Sequence, residues 1–134
     1  MKILVSNFVR QHSPALLAAL EQRGWLCFFF TALAADRWLR WAWPEKVRHA
    51  LKKRVFLRVP AAKTGHFPLL FFLERICRNS WPAGSRWIID LFDRKVASRL
   101  RLHSFKIIIT YENANRETVR AAKALGKTTI LDLA

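Results

Sequence analysis

Acidic residues are scarce in this chain: nine Asp and Glu stand against 24 Lys and Arg, a formal net charge of +15 over 134 residues. Such a field draws anionic surfaces, and nucleic acid, acidic lipid headgroups and phosphorylated substrates all qualify as partners. Cysteine is nearly absent as well. Cys27 and Cys77 each lie in an apolar stretch without CxxC spacing, which reads as two buried free thiols in a reducing compartment, with a disulfide between them the disfavoured alternative. His12, His49, His66 and His103 are scattered, so no metal site can be read from ligand spacing. The amino terminus lacks a secretory apolar stretch, because Ser6, Asn7 and Arg10 interrupt the run begun by Ile3-Leu4-Val5. The apolar runs at Leu26–Ala35 and Phe67–Leu73 fall short of the about 20 residues that a membrane span requires. There is no GxGxxG, no phosphate-cradling glycine loop, no Ser/His/Asp or Cys/His nucleophile system, no solenoid-length repeat and no low-complexity tract.

What is present is a compact-domain composition. With 52% hydrophobic residues the chain can bury a core despite its charge, and its length suits one domain. Both ends alternate strand and helix. Lys2–Ser6 reads as a buried strand, Ser13-Pro14 as a helix start, Leu16, Leu17 and Leu20 as its inner face, and Gly24 as its left-handed stop. Trp25–Phe30 is an unbroken apolar run suited to a strand covered on both faces. Lys106–Tyr111 is β-branched, Asn113 or Asn115 can cap the helix carrying Val119, Ala122 and Leu125, and Gly126 ends it before a strand over Thr128–Leu133. The same helix-to-strand junction is thus written twice, and the alternation predicts a parallel sheet covered by helices.

The middle is less regular. Pro44 opens a helix with Val47, Leu51 and Val55 on one face, and Arg54–Val59 is the expected third strand, ended by Pro60. Phe67–Arg78 and Arg86–Leu102 read as apolar-faced helices, with Trp81–Ser85 as a loop between them. Asp90 and Asp93, three apart on the second of these, are expected to pair with Arg86 or Arg94 rather than to bind metal.

Ligands of open parallel sheets gather beyond the carboxyl ends of the strands. Two segments occupy that position. In Asn7–His12, backbone N–H groups at the following helix start, with Arg10 and His12 nearby, could receive an anion or a sugar hydroxyl; an ordinary solvated loop is the plain alternative. In Tyr111-Glu112-Asn113, the carboxylate can accept hydrogen bonds from substrate hydroxyls or orient a histidine, whereas the plain alternative is a favourable contact with the helix dipole. Asp132 is a weaker candidate of the same type. A third feature, Asp36–Trp43, packs Arg37, Trp38, Arg40, Trp41 and Trp43 ahead of a basic helix and suits docking on an anionic membrane surface; burial of the indoles in the core is the commoner fate of such residues.

Three patches carry a family resemblance: Ile107–Leu133, with its Ile-Ile-Ile-Thr-Tyr-Glu-Asn and Ala-Lys-Ala-Leu-Gly-Lys runs; His12–Gly24; and Leu91–Ala97. Together they resemble the amino-terminal domain of family 4-like glycosyltransferases of GT-B architecture. The resemblance implies a Rossmann-like parallel sheet with helices on both faces, the acceptor-side half of a two-domain enzyme moving a sugar from a nucleotide-sugar donor to a glycan or lipid-linked acceptor. It implies His12 and Glu112 as catalytic candidates and Asn7, Arg10 and Asn113 as substrate-binding candidates, with no metal and no cofactor. On this reading residues 1–134 are a single, incomplete domain, inactive alone, whose donor-binding partner domain is missing. Its expected place is the cytoplasm, peripheral to the inner face of the membrane. The competing readings are a basic, aromatic nucleic-acid-binding module, disfavoured because no RRM, OB or helix-turn-helix signature appears, and a non-catalytic membrane-peripheral scaffold.

Overall fold

A computed structural model describes residues 1–8, 13–34, 42–52, 59–112 and 115–133. The first strand, β1 (Ile3–Asn7), is buried along its whole length. It leads to α1 (Ser13–Gln22), which turns Leu17 and Leu20 inward, and then to β2 (Leu26–Thr31). Gly24 joins helix to strand at φ +64, a conformation that costs glycine nothing. Its N–H donates to the Glu21 carbonyl at 2.9 Å, and the Trp25 N–H donates to the Leu20 carbonyl at 2.9 Å. This is the Schellman pattern, which satisfies the last carbonyls of the helix.

The same closure recurs between α5 (Arg116–Ala124) and β5 (Thr128–Asp132). Gly126 has φ +67, its N–H donates to the Lys123 carbonyl at 2.9 Å, and Lys127 N–H donates to the Ala122 carbonyl at 2.9 Å. The two junctions that look alike in sequence are alike bond for bond.

Between these ends lie α2 (Glu45–Lys52), a turn of 3-10 helix at Ala61–Lys63, β3 (Thr64–His66), α3 (Pro68–Ser80), α4 (Pro82–Arg99), a second 3-10 turn at Leu100–Leu102, and β4 (Ile107–Tyr111). Two expectations change here. The strand beside β2 is Thr64–His66, whereas Val59 lies in a bend and residues 54–58 fall outside those described. A three-residue polar strand lacks the apolar pattern that singles out Arg54–Val59. Gly65 suits that strand because a Cβ there would come within 2.9 Å of Phe28 and 3.0 Å of Phe30. Nor is Trp81–Ser85 a loop: only Trp81 separates α3 from α4. Pro82 sits in the first turn of α4, where its missing N–H removes no helical bond. Gly84 is buried because the Trp81 ring occupies the space a Cβ would need.

All five strands are parallel, in the order β3-β2-β1-β4-β5. One face packs Ile3, Val5, Phe29 and Ile109 against Leu17 and Leu20 of α1. The other packs Leu4, Phe30 and Ile108 against Leu70 and Phe71 of α3, Phe92 and Val96 of α4, and Ala122 of α5. Helices therefore cover both faces, and the fold is Rossmann-like α/β. Connections from β1 run outward to β2 on one side and, by way of the later helices, to β4 on the other, so the chain reverses its direction of winding between β1 and β4. The two cysteines are free, and no helix among the described residues is long and apolar enough to cross a membrane.

Candidate functional site at the carboxyl edge of the sheet

The winding reversal places the carboxyl ends of β1 and β4 side by side, and ligands of open α/β sheets lodge at such a point. The registers define what lies there. His66 pairs with Thr31, Thr31 with Asn7, and Tyr111 with Asp132, while Ser6 pairs with Thr110, so the next step of that ladder sets Asn7 beside Tyr111. The last row of the sheet therefore reads His66, Thr31, Asn7, Tyr111, Asp132, one residue from each strand. Each of these side chains can donate or accept a hydrogen bond. Two residues deeper on the same side, the row is Thr64, Phe29, Val5, Ile109 and Ile130, apolar in all but its first strand. The alternation of strand side chains puts the polar row on the α1 side, in agreement with the packing of Tyr111 among Val5, Phe29 and Ile109.

Burial grades along the row. Thr31, Asn7 and Tyr111 in the middle are buried, while His66 and Asp132 at the flanks are half-buried. His66 Nδ1 accepts a hydrogen bond from the Ala34 N–H at 3.4 Å, which orients the ring on that side. Glu112, the next residue after β4, is exposed at the mouth. Asn115, just ahead of α5, is tied to this corner, because its Nδ2 donates to the carbonyls of Tyr111 and Glu112, both at 3.0 Å.

Asn115 is thus the N-cap residue by position, yet its side chain does not cap. That work falls to Asp93 of α4. Its carboxylate accepts from the N–H groups of Glu117, at 2.6 Å, and Thr118, at 3.0 Å, and its carbonyl accepts from the Thr118 hydroxyl at 3.3 Å. The expected pairing of Asp93 with Arg86 or Arg94 on its own helix gives way to this contact, because Asp93 is buried and points across to α5. A carboxylate at a helix N-terminus also meets the positive end of the helix dipole. Asp93 therefore positions the start of α5 and with it the segment that carries Glu112.

Tyr111 is the most informative member of the row. Its hydroxyl is buried with no hydrogen-bond partner among the described residues. Burial, reinforced by the negative charge of Asp132, raises its pKa above the ordinary 10.0. It is also the chain's single tyrosine, so its titration can be followed by absorbance without interference. The midpoint is expected above the ordinary value. A folded-state pKa raised in this way contributes stability that is intact below pH 10 and is lost as the pH climbs through the folded value. Tyr111→Phe should remove that alkaline loss and, by deleting a buried unsatisfied hydroxyl, raise stability at neutral pH by about 1 kcal/mol. Urea titrations of both proteins at neutral and alkaline pH check this, and a destabilised variant would mean the hydroxyl has a partner.

Of the residues singled out from sequence, Asn7 and Glu112 are brought to this edge, and Asp132 joins them. Arg10, His12, Arg37, Trp38, Arg40, Trp41 and Asn113 lie outside the described residues. Trp43 is partly buried and packs against the larger core cluster. Thr31 and His66 enter the site from the structure alone. Thr31 carries a usable signal as the first polar residue after an apolar strand, the position that Asn7 holds only one residue later, after Ser6. Among the described residues, no group of three His, Cys, Asp or Glu side chains converges as metal ligands would. Comparison with protein-family models, curated proteins and solved structures finds no match to the chain.

Proposed function

We propose that this chain is the acceptor-side Rossmann-like domain of a sugar-transferring enzyme of GT-B type, with a glycan or lipid-linked saccharide as acceptor. The observation that carries the reading is the five-residue polar row at the carboxyl edge, crossing the point where the sheet reverses. The accessible groups there, the His66 imidazole and the Asp132 and Glu112 carboxylates, suit a ligand rich in hydroxyl groups, since each hydroxyl both donates and accepts, while buried Thr31, Asn7 and Tyr111 form the floor beneath it. On this reading a facing domain would hold the donor diphosphate, which agrees with a sequence free of glycine over residues 7–12. Glu112 would take hydrogen bonds from the acceptor, and His12, between β1 and α1 in sequence, would accept the proton of the attacking hydroxyl.

The test is an NMR titration of the chain with a panel of oligosaccharides. Backbone shifts are expected at Asn7, Thr31, Tyr111, Glu112 and Asp132, and Glu112→Gln is expected to weaken binding about tenfold, the worth of one charge-assisted hydrogen bond. Absence of shifts at these residues for every saccharide, combined with salt-sensitive binding of single-stranded DNA irrespective of sequence, would establish the nucleic-acid module instead.

A further inference from the structure

The α3–α4 hairpin is apolar on its outside as well as its inside. Its inner side is fully used: Leu70 and Phe71 of α3 and Ile88, Phe92 and Val96 of α4 fill the core against the sheet. Yet Leu69 is 69% exposed, Leu73 37% and Ile76 71%, and these positions, four and three apart, form one stripe along the outward side of α3. Trp81, at the bend of the hairpin, is 60% exposed, and Trp87, on the second turn of α4, is 57% exposed. Half of the ten large apolar side chains exposed among the described residues belong to this one hairpin. Scattered exposed leucines need no explanation, but a stripe joined by two open indoles does.

On α3 the charges are sorted, while on α4 the exposed Asp90 stands one turn from the exposed Arg86 and Arg94. Glu74, the sole acid of α3, is turned inward and neutralised: Arg78 donates to its carboxylate at 3.0 and 2.9 Å and the Ser85 hydroxyl at 2.8 Å. Arg78 leaves half of its side chain in solvent, and Arg75 and Arg86 are exposed. The outward charge of α3 is therefore cationic only. A second copy of the chain would bring another +15 to the contact, which opposes self-association through this surface. An anionic bilayer meets every requirement. Aliphatic side chains enter the acyl boundary, indoles rest at headgroup depth, and arginines pair with lipid phosphates.

We infer that the outer side of the α3–α4 hairpin docks on an anionic lipid surface, with Leu69, Leu73, Ile76 and Trp87 inserted and Arg75 and Arg86 on the headgroups. This relocates membrane contact from the segment around Trp38 and Trp41 to a helical hairpin. It does not depend on the sugar-transfer reading, and failure of either leaves the other standing.

Vesicle flotation tests it, using phosphatidylcholine alone and phosphatidylcholine mixed with phosphatidylglycerol. Binding is expected to the mixed vesicles and to be much weaker to the neutral ones. The combined Leu69→Ser and Ile76→Ser variant should lose about tenfold or more in vesicle affinity while keeping its unfolding temperature, because both side chains are already in water. Arg75→Glu with Arg86→Glu should abolish the preference for phosphatidylglycerol. Quenching of tryptophan emission by brominated lipid should fall in Trp87→Phe. Three results would overturn the inference: parental vesicle affinity in the serine variant; loss of binding on Trp38→Ala with Trp41→Ala while the hairpin variants bind normally; or a parental dimer that the serine variant dissociates, with no vesicle binding at all.

Discussion

Asp93→Ala is expected to lower the unfolding free energy by about 2–4 kcal/mol, because it strips two charge-assisted hydrogen bonds, one of them buried, from the N-terminus of α5. The side chain is 3% exposed, so water cannot readily take its place. Asp93→Asn keeps one acceptor and should lose markedly less. Urea unfolding measures the shift in midpoint at unchanged slope. Amide exchange adds a local signature: the N–H groups of Glu117 and Thr118 should lose protection in the alanine variant before the rest of α5 does. A loss below about 0.5 kcal/mol would mean that another acceptor caps the helix. If the proposed saccharide site is correct, the weakened hold on the Tyr111–Glu112 corner should also reduce saccharide binding in Asp93→Asn, whose fold should survive.

The neighbouring residue gives the larger effect. Phe92 has no solvent exposure, and its ring meets two others edge-on: Phe8 at 5.2 Å and 84°, and Phe67 at 5.6 Å and 86°. Truncation to alanine removes the burial of a whole ring and leaves a cavity, a cost of about 3–5 kcal/mol. Both edge-on ring pairings disappear with it. Phe8 directly follows β1 and Phe67 directly follows β3, so Phe92 ties together the chain exits of two strands. Phe92→Leu should cost less, since it fills most of the space. Calorimetry of the three proteins decides, and equal transition temperatures for Phe92→Ala and the parent would show that this cluster is not closely packed.

These two residues also mark how far local sequence signals reach. The periodicity of Phe92, Val96 and Leu100 announces a buried helix face, and all three are without solvent exposure. The role of Asp93 leaves no such trace, because its partners lie 24 and 25 residues away and only packing of α4 on α5 brings them within reach. Gly24 and Gly126 are legible since a helix stop is local chemistry. Ile107–Ile109 is legible since three β-branched residues in a row favour a covered strand. β3 is not, because a three-residue edge strand containing glycine has no apolar pattern and is held in place by the register of β2. The candidate site divides along the same line. Asn7, Tyr111, Glu112 and Asp132 stand at or just beyond the ends of strands that the sequence announces, while His66 ends the one strand it conceals.

The central position of β1 has a consequence for biosynthesis. Ile3–Asn7 leaves the ribosome before the other four strands, and one flank can be met as soon as Leu26–Thr31 follows. The opposite flank must wait for Ile107–Tyr111, about a hundred residues later. At elongation rates of about 5–20 residues per second the delay is on the order of 5–20 s. Throughout it, Leu4 and Val5, which end with no solvent exposure, lack half of their final surroundings. For that interval one edge of the central strand stays unpaired, and translational pauses before residue 107 are expected to lengthen its exposure to aggregation.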